Sequence, residues 1–179
     1  MTRSGEMLDN ANITNNNHEV DVIIEIPQEG YPIKYEVDKD SGRLIADRFI
    51  NVAMLYPCNY GYIPNTLAQD GDPLDAFVIS QYPLMPGCQI KVRPIAVLMM
   101  EDESGIDEKI IAVPADKVDP FYSSYRDISD IPVITKQKIK HFLEHYKDLE
   151  KGKWVKVQDW ENAAKAKELI VEYSAQYKS

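Results

Sequence analysis

The sequence predicts an α+β protein, a small closed or nearly closed β-barrel with helices packed against it. Three observations predict it: short segments of alternating apolar and polar residues fill most of the chain, Gly, Pro and Asn punctuate them, and helical periodicity appears only in the last third. In the first strand Val20, Val22, Ile24 and Ile26 share one side and Pro27 ends the run, which leaves Glu25 on the opposite face. After Gln28-Glu29-Gly30, Ile33, Tyr35 and Val37 alternate with Lys34 and Glu36, and this second strand is expected to pair with the first as a hairpin. Further strands are expected around Leu44–Ile45, Gly61–Ile63, Leu74–Ser80, Gln89–Leu98 and Ile110–Val113, a number and spacing that suit a barrel. Pro132 then opens a helix in which Ile139, Phe142, Leu143 and Tyr146 recur at helical spacing, with Gly152 placed to follow its end. A second helix is expected after Asp159 as N-cap, with Ala163, Ala166, Ile170 and Tyr173 on one face.

Length and charge narrow the function classes. A chain of 179 residues is expected to hold one domain, over 19–179, preceded by a polar, Asn-rich, poorly ordered tail over 1–18. The net charge of −9, from 29 acidic and 20 basic residues, disfavours nucleic acid or an anionic membrane as partner and favours cations. Cys58 and Cys88 are too few and too far apart for a disulfide framework or a zinc ribbon. No leader and no apolar run long enough for a membrane span is visible, so the protein is expected in the cytoplasm.

The chemistry concentrates in Asp70-Gly71-Asp72-Pro73-Leu74-Asp75, three carboxylates within six residues leading into the apolar run Ala76-Phe77-Val78-Ile79. Gly and Pro between the acids fix a tight backbone path, so the carboxylates can converge, and converging oxygens suit a hard cation such as Mg²⁺ or Mn²⁺. A lone D-x-D is more often a solvated turn; the third acid at the start of a buried strand weighs against that. An EF-hand would need Gly, Asp or Asn, and Glu where Asp75, Leu74 and Gln81 stand, and no P-loop is present.

A second acidic cluster, Glu101-Asp102-Glu103 with Asp107, lies around a Ser104-Gly105 turn and is followed by Lys109. Lys34, Glu36, Arg48, Tyr56 and Tyr60 also lie on or beside expected strands. Many carboxylates with several cations point to a multiply charged phosphate carried in with divalent metal. His141-Phe142-Leu143-Glu144-His145 spells the inverted zinc-protease pattern, but apolar neighbours make helix packing or a subunit contact the better account.

From about Val22 to Tyr173 the chain resembles the family I soluble inorganic pyrophosphatases of bacterial type. Asp70 through Ala76 matches the signature D-[SGDN]-D-[PE]-apolar-D-apolar, while Ile24-Glu25-Ile26-Pro27, Pro32-Ile33-Lys34-Tyr35-Glu36, Asp47-Arg48, Tyr56-Pro57-Cys58-Asn59-Tyr60-Gly61-Tyr62 and His145-Tyr146-Lys147-Asp148-Leu149 match in order. The resemblance implies an OB-like five-stranded barrel with flanking helices, two of them C-terminal, and hydrolysis of pyrophosphate by a metal-activated water without a covalent intermediate. It implies Asp70, Asp75, Asp102 and Asp107 as metal ligands, with Glu25 and Glu36 holding further magnesium directly or through water. It places Asp72 beside the attacking water with Tyr60 nearby, and Lys34, Arg48, Tyr56, Lys109, Tyr146 and Lys147 on the phosphates. A magnesium complex of pyrophosphate as partner and a homohexamer are implied in the same way.

Two rivals follow from the residues themselves: a barrel that binds single-stranded nucleic acid, and a metal-dependent phosphoesterase or nucleotide pyrophosphatase. The acid crowding also predicts strain without metal, since two carboxylates about 5 Å apart repel by roughly 3 kcal/mol at an effective dielectric near 20.

Overall fold

In the first strand, β1 (Val20–Ile26), Val20, Val22 and Ile24 share one core as the alternation predicts, but a register shift between Ile24 and Ile26 turns Ile26 into the other core; all four are fully enclosed. The computed structural model describes residues 18–38 and 40–179, so the expected tail over 1–18 lies, apart from His18, outside the described residues. The strands after β1 are β2 (Ile33–Val37), β3 (Leu44–Phe49), β4 (Asn59–Tyr62), β5 (Asp75–Val78), β6 (Gln89–Asp102), β7 (Gly105–Ile106), β8 (Lys109–Pro114) and β9 (Val155–Asn162). Two helices complete the set, α1 (Val133–His145) and α2 (Ala163–Lys178).

Five strands close a ring. β1 pairs antiparallel with β4, β4 with β5, β5 runs parallel to β8, β8 pairs antiparallel with β6, and β6 returns to β1. This is an OB-like barrel flanked by the two C-terminal helices. The long β6 also carries β7 and β9 beyond the ring.

β5 and β8 are buried on both faces, which is why they read as continuous apolar runs. Ala76, Val78, Ile110 and Ala112 pack into one cluster with Ala166, Leu169, Ile170 and Tyr173 of α2. Their sequence neighbours Phe77, Ile111 and Val113 pack into the other, against Ile139, Phe142 and Leu143 of α1. Alternation is intact in these strands; it simply separates two cores instead of core from water.

Three sequence expectations differ from the fold. β2 is not the hairpin partner of β1: it pairs with β3 in a separate two-stranded sheet, because both edges of β1 are already taken by β4 and β6. Asp159 is not an N-cap but lies within β9, at a register shift between Val157 and Trp160, which pair with β6; Asn162 ends that strand and caps α2, its side chain accepting from the Lys165 N–H at 3.0 Å. Pro132 flanks α1 as its N-cap, and the helix ends at His145, with Gly152 (φ +79°) two turns beyond it and not at its end.

Gly61 marks a close strand approach. A Cβ there would stand 1.9 Å from the Ile23 carbonyl oxygen and 2.8 Å from its carbon, both backbone atoms that cannot yield locally. Gly61→Ala should therefore cost about 2 kcal/mol or more by forcing β1 and β4 apart. Equilibrium urea unfolding measures it, and a loss under about 0.5 kcal/mol would show that the pairing relaxes freely.

Candidate active site

The parallel pairing of β5 with β8 sets Asp75 directly opposite Lys109. Lys109 Nζ donates to Asp75 at 2.6 Å and to Asp107 at 2.8 Å, so one ammonium, only 2% exposed, bridges the Asp70–Asp75 loop and the β7–β8 connection. It also lies 5.6 Å from the centre of the Tyr60 ring. Lys147, just past α1, repeats the device on the other acidic cluster, donating to Asp102 at 2.6 Å and to Glu103 at 3.3 Å.

The Asp70 loop is shaped by its own polar groups. Asp70 accepts from the Asp72 N–H at 3.0 Å, the Ala68 N–H donates to the Asp72 carbonyl, and Gly71 turns the chain at φ +88°. Thr66 Oγ accepts from the Leu74 N–H at 2.9 Å and itself donates to the Ile63 carbonyl at 2.6 Å, which anchors the loop at both ends.

These groups open into one cleft of about 660 Å³. Of the sequence-predicted residues, Glu25, Lys34, Glu36, Arg48, Tyr60, Asp70, Asp72, Asp75, Asp102, Asp107, Lys109, Tyr146 and Lys147 all line it. Tyr56 does not; it stands behind the wall in a small cavity shared with Tyr60, Lys109 and Tyr146. Lys34 and Glu36 reach the cleft from the same face of β2, 2.7 Å apart. Glu101 faces away and pairs with Lys156.

Glu103, noted in the sequence only within the second acidic cluster and given no role there, lines the cleft, as do Tyr62, Asn65, Lys153 and Tyr177, which sequence reasoning missed. Lys153 is carried in beside β9, and the alternation of Val155 and Val157 was the available signal for that strand. His141 and His145 lie outside the cleft, ring against ring at 4.8 Å, with His145 bonded to Asp148 and Glu144 paired with Lys140. The zinc-protease pattern therefore gathers no metal-like set.

Eight carboxylates and five cations line the cleft, all eight presenting the oxygen donors that a hard divalent cation prefers. Among the described residues no three acidic, His or Cys side chains are gathered tightly enough to cage an ion, because Lys109 and Lys147 stand between them. The expected bare repulsion is thus corrected: Asp75, Asp102 and Asp107 are each compensated by a lysine. The donor set fits magnesium in its chemistry, with an acid excess that the cations of the chain do not meet.

Burial governs the ionisation of the site. It pushes Glu25 up to about 8 against the pull of Lys34, and it raises Asp70 and Asp107, the latter despite Lys109. Asp102 is instead held low: burial opposes, but the bonds from Lys147 and the Ser104 N–H win. Burial would lower Lys109, yet Asp75, Tyr60 and Asp107 hold it well above its usual value. Tyr56, Tyr60 and Tyr146 are all raised by burial, which keeps them neutral phenols able to donate.

Comparison with known proteins places this arrangement. The family model described as inorganic pyrophosphatase matches residues 22–178. The chain is 58% identical over 157 residues to the inorganic pyrophosphatase of Rickettsia conorii, covering 88% of this chain and 91% of that one. To the inorganic pyrophosphatase of Escherichia coli K12 it is 57% identical over 150 residues, covering 84% and 85%. The crystal structure of an inorganic phosphatase from Anaplasma phagocytophilum superposes with a TM-score of 0.89 at 50% identity, covering 96% of this chain and 100% of that one.

The ionisation of Glu25 makes a testable pH dependence. Folded, the group keeps its proton to about pH 8; unfolded, it releases it near 4.5, so the folded form binds more protons in between. Stability in chelator should therefore be full below about pH 4.5 and fall as pH rises towards 8, with Asp70 and Asp107 adding to the same slope. Glu25→Gln should flatten that fall in urea titrations run across the window. An unchanged slope would place the proton uptake on another group.

Proposed function

The chain belongs to the inorganic pyrophosphatase family, and from that premise we propose that it hydrolyses pyrophosphate to two phosphates as a magnesium-dependent enzyme. A water oxygen bonds to one phosphorus in line with the bridging oxygen, the bridging P–O bond breaks, and one proton of the water ends on each phosphate. No covalent intermediate is needed. The observation that carries this reading is the single cleft in which acids, buried lysines and neutral phenols meet.

Asp70, Asp75, Asp102 and Asp107 are proposed to hold magnesium, with Glu25 and Glu36 holding further ions directly or through water; Mn²⁺ is expected to substitute. When bound, magnesium lowers the pKa of the attacking water and neutralises charge on the phosphates. Asp72 is proposed to take the proton from that water or to orient it. Its carboxylate is exposed and engaged in no ion pair among the described residues, so it is available for that work. Tyr60, kept neutral by burial, is proposed to donate beside it.

Lys34, Arg48, Lys109, Tyr146 and Lys147 are proposed to bind the phosphates, offsetting their charge and holding the leaving group in line. Tyr56, from behind, is proposed to act on the same groups through Tyr60 and Tyr146; its ring stands 5.6 Å from that of Tyr60. We further propose one catalytic unit over 19–179, a homohexamer, and work in the cytoplasm on magnesium pyrophosphate, without nucleic acid or membrane as partner. Among the described residues no helix is long and apolar enough to cross a membrane.

Phosphate release from pyrophosphate and from nucleotides, compared with and without magnesium, tests the reading. Preference for nucleotides, or salt-dependent binding of oligonucleotides, would instead favour a nucleotide pyrophosphatase or a nucleic-acid module. Asp72→Asn should keep the fold and most magnesium binding while cutting turnover by roughly 10²-fold or more. Near-parental turnover with the same magnesium dependence would remove Asp72 from the reaction.

A further inference from the structure

Between Asp107, proposed to hold metal, and Lys109, proposed to bind phosphate, stands Glu108, 3% exposed and absent from the cleft lining. It lies in the short connection between β7 and β8, and its side chain reaches α2 and not the cleft. There the fully buried Tyr173 donates its hydroxyl to Glu108 Oε1 at 2.8 Å, while Glu108 Oε2 has no hydrogen-bond partner among the described residues. Burying a carboxyl with one oxygen unmet is costly, and an apolar side chain would fill the same space without that cost.

Tyr173 also grips the acidic loop. Its carbonyl accepts from the Leu67 N–H at 2.9 Å, and its hydroxyl receives Gln69 Nε2 at 3.4 Å, one residue before Asp70. A single side chain of α2 thus touches both strands of protein that carry the acids: the loop before Asp70 and Asp72, and the segment that presents Asp107.

We propose that Glu108 and Tyr173 are positioning residues, a buried latch that sets the separation of the Asp70 loop from Asp107 and so tunes the site for a divalent cation. This rests on the magnesium-dependent reading above. Metal ligands held by rigid outer contacts bind more tightly because less ordering remains to be done when the ion arrives.

The test is calorimetric titration of magnesium alone, without substrate, into the parent, Tyr173→Phe and Glu108→Gln, with melting in chelator recorded for each. Tyr173→Phe keeps the ring in its core position and changes no charge. It should weaken magnesium binding by about three- to tenfold and shift the magnesium dependence of turnover equally. Glu108→Gln retains a carbonyl that accepts from the hydroxyl, and should stay within about twofold of the parent. Should Tyr173→Phe fail to fold, Glu108→Leu removes the latch from the other side and carries the same expectation. A lowered melting temperature with a parental isotherm would make the pair merely structural and overturn the proposal, as would a loss in Glu108→Gln as large as that in Tyr173→Phe. A parent that neither binds magnesium nor needs it would instead overturn the magnesium reading itself.

Discussion

Lys109 sits almost out of contact with water between two carboxylates, and an ammonium in that position is tolerable only because both are there. The converse holds as well: Asp75 and Asp107 approach each other at the base of the cleft only because a cation lies between them. Burial of either partner alone would cost several kcal/mol. The β5–β8 register is what brings the three together, and the barrel is what fixes that register. The Asp75–Lys109 pair at the base of the cleft is therefore built on a strand pairing, to which the Asp70 loop and Asp107 are joined.

That arrangement also decides what the cleft can accept. Lys109 and Lys147 each serve two acids, so the lysines are shared more thinly than the carboxylates they face. The remaining acids, with Glu25 pushed up by burial, leave a local deficit of positive charge that a hard cation relieves. Phosphate, on the other hand, would meet repulsion from the same acids without such a cation. On the proposed reading anion and cation depend on each other in this cleft, and the neutral phenols of Tyr60 and Tyr146 add hydrogen-bond donors without adding to either charge.

Much of the site was legible because its residue types are unusual for their surroundings. Three acids leading into an apolar strand, and lysines alternating with acids on expected strands, stand out against a core-building pattern. What stayed hidden depends on distant pairing. No local signal says that Lys109 lies opposite Asp75, since their contact crosses 34 positions of chain. The mistaken pairing of β2 with β1 has the same origin: proximity in sequence favours a hairpin, but closure of the ring occupies both edges of β1. Asp159 looked like a helix cap because Asp caps helices well, yet the backbone groups of β9 gain more from β6 than one capping bond supplies. Tyr56 was read for its chemistry and stands one layer behind it, a distinction that a strand pattern does not carry.

The segment 107–109 shows how closely site and core are joined. Asp107 and Lys109 face the cleft, while Glu108 between them reaches Tyr173 in the α2-side core. A strand buried on both faces has no neutral side on which to place a residue, so each position serves either one cluster or the other. Tyr173 of α2 bonds Glu108, one peptide from Asp107 and from Lys109, and the same residue holds the loop before Asp70 through Leu67 and Gln69. In such a frame, the spacing of the acids is not adjustable independently of the packing. On the proposed reading α2 shares in setting the acids of the cleft, although it contributes only Tyr177 to the lining.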